Sequence, residues 1–106
     1  MTGSRLDKLL EMEQAKPADA FIKFAIAQEY VNALKDELAL PYFELLAEKF
    51  PHYVPLYYHF GKLFERSGEL AKAMKLYTAG IAEATKANDL KTARELQEAL
   101  TLLTDE

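Results

Sequence analysis

Apolar residues recur at intervals of three and four along almost the whole chain, which is the period of an α-helix and not that of a strand. Leu6, Leu9 and Leu10, followed by Met12 or Glu13, form a first short stripe. Ser4 precedes it as a candidate cap for the free amides of the first turn, and Pro17 stops it. A second segment, from about Ala18 to Ala33, carries Phe21, Phe24, Ala25, Ile26, Ala27, Tyr30 and Val31 over more than one face. A helix of that kind has neighbours on two sides. A third starts near Asp36, the expected cap, with Glu37 suited to the positive end of the helix dipole. It continues through Leu38, Ala39, Tyr42, Phe43 and Leu46 to Phe50, and Pro51 ends it. Pro41 falls in its early turns, where a slight kink or a loosened first turn is expected.

The fourth segment spans about Val54 to Ser67 and closes at Gly68, a residue suited to a left-handed helix end. The fifth runs from Glu69 or Leu70 towards Ala87. Asn88-Asp89 then gives a turn or cap signal, and the sixth covers about Leu90 to Leu103, with Ala93, Leu96, Leu100 and Leu103 in register. No segment alternates with a period of two. With only four glycines and four prolines in 106 residues, the chain also lacks the turns of an all-β fold. The expectation is an all-α chain of about six helices, with connections short enough to force consecutive helices antiparallel.

The chain is similar to itself at an offset of 34 residues, the spacing of Pro17 and Pro51. At that offset Ile26 aligns with Phe60, Ala27 with Gly61, Tyr30 with Phe64, Ala39 with Ala73 and Phe43 with Tyr77. Size and polarity match better than identity, as when packing is what is preserved. Gly61 and Ala27 are both small, as are Ala73 and Ala39.

These residues resemble the tetratricopeptide repeat, a 34-residue unit of two antiparallel helices. Its aromatic, leucine-glycine, tyrosine, alanine and phenylalanine positions correspond to Tyr57, Phe60-Gly61, Phe64, Ala73 and Tyr77 in one copy. In the other they correspond to Lys23, Ile26-Ala27, Tyr30, Ala39 and Phe43, with Pro51 in the closing proline slot. Thr85 holds that slot in the later copy. Lys23 departs from the aromatic position, and Phe21 or Phe24 is expected to fill the space. The resemblance implies antiparallel helix pairs stacked as a short right-handed superhelix. It divides a single domain into a half-repeat helix (1–17), a first repeat (18–51), a second (52–87) and a closing helix (88–106).

In this family the first helix of each repeat lines a concave groove. The resemblance therefore implies groove positions at Phe21, Phe24, Gln28, Val31 and Asn32 in the first repeat, and at Tyr58, Lys62, Glu65 and Arg66 in the second. Aromatic and aliphatic groups with a mixed polar rim suit an extended peptide or an amphipathic helix. The alternative is that a terminal helix of the same chain covers these apolar groups. Lys62 and Arg66, one turn apart, offer two positive donors for a carboxylate; a solvated pair near Glu65 is the other account of them.

Other chemistry finds little footing. There are no cysteines, hence no disulfide, thiolate metal site or cysteine nucleophile. His52 and His59 have no ligand partner at metal-binding spacing, the hydroxyl residues have no base at motif spacing, and no glycine-rich phosphate loop occurs. Glu11, Glu13, Glu95 and Glu98 read as solvated carboxylates on polar helix faces. The net charge of −4 offers no general attraction to nucleic acid or anionic membranes. No apolar run has the ~20 residues of a membrane helix, and the polar Met1–Arg5 stretch lacks a signal-peptide pattern.

The expected role is a non-catalytic, cytoplasmic protein-interaction module or scaffold, with no cofactor or metal, no nucleic-acid or membrane partner, and a protein or peptide as ligand. It is expected to be a monomer or weak homo-oligomer. The competing expectation is a self-assembling helical-repeat protein acting through its terminal helices, notably Leu96, Leu100 and Leu103.

Overall fold

The structure, a computed structural model, describes residues 4–104. The outermost residues of the first and last expected segments, Met1–Gly3 and Asp105–Glu106, lie outside the described residues. Six helices follow in order: α1 (Arg5–Ala15), α2 (Ala20–Asn32), α3 (Asp36–Lys49), α4 (Pro55–Arg66), α5 (Leu70–Lys86) and α6 (Leu90–Thr104). No strand occurs among the described residues. The contacts divide the chain into two compact units, Met1–Phe50 and Pro51–Glu106. In the first, α2 packs against both α1 and α3; in the second, α5 packs against both α4 and α6. The short connections make each of these neighbours antiparallel.

Helix starts in the first unit follow local chemistry. The Ser4 hydroxyl accepts from the Asp7 amide and the Asp7 carboxylate accepts from the Ser4 amide, a reciprocal capping box. Asp19 caps α2 by accepting from the Ile22 amide at 3.1 Å. Asp36 is not the cap expected of it. Lys35 takes that position without a side-chain bond, and Asp36 is the first helical residue, where with Glu37 it complements the helix dipole. Helix α3 runs through Pro41 without a break.

The core of this unit is built on Leu9, Ile22, Ala25 and Ile26, with Leu6, Leu10, Tyr30 and Tyr42 packed around them. Ala27, Ala39, Phe43 and Leu46 are fully buried as well. The Lys23 slot is filled in an unexpected way. Phe21 is exposed and Phe24 packs edge-on against Phe43 at 6.5 Å, so neither replaces the missing aromatic. Lys23 is itself buried, and its ammonium donates to Glu13 Oε2 at 2.8 Å. The Tyr42 hydroxyl donates to the other oxygen of that carboxylate at 3.2 Å. Glu13 is therefore not a solvated surface carboxylate: it joins α1 to α2 and α3.

In the second unit Pro55 opens α4, where a missing amide costs nothing. The Tyr57 hydroxyl donates back to the Pro51 carbonyl. Leu56, Tyr57, Phe60, Gly61 and Leu63 of α4 face inward, as do Ala73, Tyr77, Gly80 and Ala84 of α5 and Leu96 and Ala99 of α6. A side chain at Gly61 would fall on the Tyr77 ring, the close approach that the repeat resemblance implies for this position. Gly80 is a second close crossing, where an added Cβ would meet Tyr57 and the Leu96 side chain. One repeat earlier, the positions of Tyr57 and Gly80 are held by Lys23 and Leu46. The bulk sits on the first helix of one pair and on the second helix of the other.

Three helix ends share one geometry. Leu34, Gly68 and Asn88 adopt left-handed backbone, with φ of 61°, 82° and 59°. The following amides, those of Lys35, Glu69 and Asp89, donate to the carbonyls of Tyr30, Phe64 and Ala84 at 2.9, 2.9 and 2.8 Å. That six-to-one bond is the Schellman helix ending. Asp89 then caps α6 by accepting from the Thr92 amide at 3.2 Å.

Candidate functional site

The expected groove residues of the first unit lie at helical spacing along one side of α2. Phe21 is 58% exposed, Asn32 is exposed, and Phe24, Gln28 and Val31 are half-buried. Phe24 leans on Phe43. The flank is thus mixed, with one fully presented aromatic near the start of the helix.

In the second unit, Tyr58, Lys62, Glu65 and Arg66 share one side of α4, away from Leu56, Phe60 and Leu63. The Tyr58 ring is tilted against Tyr77 at 6.3 Å and meets the His59 ring edge-on at 5.5 Å. Lys62 Nζ lies 5.3 Å above the Tyr58 ring and 3.5 Å from Glu65 Oε2. Glu65 also accepts from the Tyr77 hydroxyl. Burial and then this bond raise the Tyr77 phenol far above its usual range. Three of these four α4 residues, Tyr58, Lys62 and Glu65, are therefore linked to one another. Lys62 is held by Glu65, which favours the solvated-pair account over a pair of donors offered with Arg66.

A concavity of about 460 Å³ opens beside Tyr58 and Lys62, with His59 on the same wall. Its other wall is α6, through Glu95, Glu98, Ala99 and Leu102. Glu65 and Arg66 do not line it. Burial, and then the charge of Arg66, hold the His59 imidazole below its usual range, so this wall presents a neutral ring and a paired ammonium. Sequence spacing did not single out the α6 wall, because its partner residues on α4 are more than thirty positions away. Of Leu96, Leu100 and Leu103, expected as a self-association face, Leu96 is fully buried and the other two are half-buried. Leu102 stands out instead, 75% exposed.

His52, expected in a turn without a ligand partner at short spacing, meets Glu83 of α5 at 2.7 Å. That bond is the main reason the Glu83 carboxyl titrates below its usual range. No group of three or more His, Cys, Asp or Glu side chains is arranged to hold a metal ion among the described residues. No helix among them is long and apolar enough to cross a membrane.

Set against solved structures, the chain aligns with a crystal structure of a tetratricopeptide repeat domain protein from Salinibacter ruber at 38% identity and a TM-score of 0.78. That alignment covers 81% of this chain and 96% of the other. The chain belongs to the tetratricopeptide repeat family. A solution structure of a tetratricopeptide repeat domain protein from Salinibacter ruber agrees, at 39% identity, a TM-score of 0.79 and coverage of 83% and 89%. A Bordetella parapertussis protein shares the fold at 22% identity and a TM-score of 0.82, over 97% of this chain and 90% of that one. No protein-family model and no curated protein matches the chain. Tetratricopeptide repeat folds serve in general as protein-interaction modules.

Proposed function

We propose that this tetratricopeptide repeat protein is a non-catalytic interaction module that binds a peptide or helix of a partner protein. The observation that supports this most is the open concavity walled by α4 and α6, where Tyr58, Lys62 and Leu102 meet solvent. A rigid aromatic ring beside an exposed leucine gives apolar anchorage at little entropic cost. The side of α2 with Phe21, Phe24, Gln28, Val31 and Asn32 is proposed as a second docking face, and Glu65 and Arg66 as the polar edge of the first.

The test is a comparison of wild-type chain with a Tyr58→Ala, Lys62→Glu, Arg66→Glu variant of matched helicity, each used to capture partners from a lysate of the source organism. A partner held by wild type and lost by the variant is the expected result. A partner retained equally by both would remove the α4 face from the proposal. Leu90 and Leu102, both exposed on α6, support a second reading, self-association through that helix. A molar mass of one chain at high concentration would end it.

A further inference from the structure

The concavity of the second unit has an uneven charge pattern, and this bears on which peptides it would accept. On its α4 wall the one cation, Lys62, is already drawn to Glu65 at 3.5 Å and lies over the Tyr58 ring at 5.3 Å. His59 is held neutral by burial. On the α6 wall, Glu95 and Glu98 are exposed and make no hydrogen bond or ion pair among the described residues. They line the same space as Leu102. Arg94, also on α6, lies with Gln97 and Thr101 in a neighbouring depression that Glu98 and Leu102 share, and no ion pair joins it to Glu98 among the described residues. Among the described residues the two carboxylates thus line the concavity without an ion pair, next to an exposed aliphatic side chain and an aromatic ring.

From this we infer that the groove between α4 and α6 selects an extended peptide segment of a partner protein in which a lysine or arginine lies two positions from an aliphatic residue. The proposal rests on the interaction reading above and deepens it. Spacing on α6 sets the spacing in the ligand. From Glu98 to Leu102 is four residues, or about 6 Å along a helix at 1.5 Å per residue. An extended chain advances about 3.3 Å per residue and presents every second side chain to one face. Residues two apart in the peptide therefore match the carboxylate and the leucine. The cation would meet Glu95 and Glu98 in charge-assisted hydrogen bonds. The aliphatic group would rest on Leu102 and the Tyr58 ring. An acidic residue at the first position would instead meet two like charges, which penalises the wrong partner as much as the match rewards the right one.

The experiment uses short synthetic peptides, capped at both ends and otherwise degenerate, titrated against the full chain by fluorescence anisotropy. Four pools carry Arg-x-Leu, Gln-x-Leu, Glu-x-Leu or Arg-x-Ser at fixed central positions. The Arg-x-Leu pool is expected to bind about tenfold or more tighter than Glu-x-Leu, with the preference shrinking as salt rises. A Glu95→Gln, Glu98→Gln variant is expected to bind Arg-x-Leu about as weakly as wild type binds Gln-x-Leu. Equal binding of Arg and Glu pools, or an Arg preference unchanged in that variant, would overturn the charge selection. The interaction reading would still stand if that binding were lost on Tyr58→Ala. If no pool binds wild type better than it binds Tyr58→Ala, both readings fall at this face.

Discussion

Leu34 sits where its counterpart one repeat later is Gly68, and both have left-handed backbone. Leucine pays roughly 1–2 kcal/mol for that conformation, while glycine loses about 0.5–1 kcal/mol more backbone entropy on folding. The Leu34 side chain is almost fully exposed, so little packing is lost by removing it. Leu34→Gly is expected to raise stability by about 0.5–1 kcal/mol, read as a higher urea midpoint at unchanged slope. Gly61 behaves in the opposite way. Its Cα faces the Tyr77 ring, and that ring cannot give, because it is fully buried and its hydroxyl is held by Glu65. Gly61→Ala should cost about 1–3 kcal/mol through overpacking, measured in the same unfolding experiment. The first of these residues gave no signal in the sequence, since nothing about a leucine announces positive φ. The second did, by its place in the repeat. Gly80 gave a weaker one: a glycine inside a helix costs about 1 kcal/mol against alanine, which asks for a packing reason.

At the scale of helices, the attachment of α1 is the least expected feature. An apolar stripe was legible, and Leu9 is indeed buried on it. What the stripe could not reveal is that Glu13, on its polar margin, takes the ammonium of Lys23 and the hydroxyl of Tyr42. Periodicity sorts residues by solubility, and a charged pair that satisfies itself inside looks the same in a sequence as two solvated ends. Glu13→Ala leaves Lys23 buried without its counter-charge. A cost of about 2–3 kcal/mol is expected, less than the ~3–5 kcal/mol of a fully buried pair because both side chains keep some solvent contact. A Glu13→Leu, Lys23→Met double change should recover most of that loss, since an apolar pair of similar size avoids desolvating charges. Chemical unfolding of the single and double variants checks both statements. The α4–α6 concavity escaped the sequence for a related reason: its walls meet only because α5 folds α6 back towards α4.

For the whole molecule, the order and number of the described helices were readable from apolar spacing and the prolines. The division into two compact units was not, because contact density does not follow from any local pattern. Both units share a vulnerability to high pH. Burial, and then the Glu13 carboxylate, push the Tyr42 phenol of the first unit up to about 12, from an ordinary value near 10. In the second unit Tyr77 and Tyr57 are raised as well, each chiefly by burial. A raised phenol stays protonated in the fold after the unfolded chain has begun to ionise. Its stabilising contribution is complete below about pH 10 and is lost as pH climbs towards the folded value. The urea midpoint should fall steadily from about pH 10 to 12, and Tyr42→Phe should lessen the slope without abolishing it.

The chain has no tryptophan, so its intrinsic emission comes from tyrosine. Two of those phenols, Tyr42 and Tyr77, donate to carboxylates. An excited phenol is a far stronger acid than in its ground state, and a carboxylate in contact takes its proton and quenches the light. These two of the six tyrosines are expected to be quenched in the fold, and unfolding to brighten them as each phenol exchanges its carboxylate for water. Tyr42 reports from the first unit and Tyr77 from the second, so a phenylalanine at either position removes that unit's share of the brightening and leaves the other's.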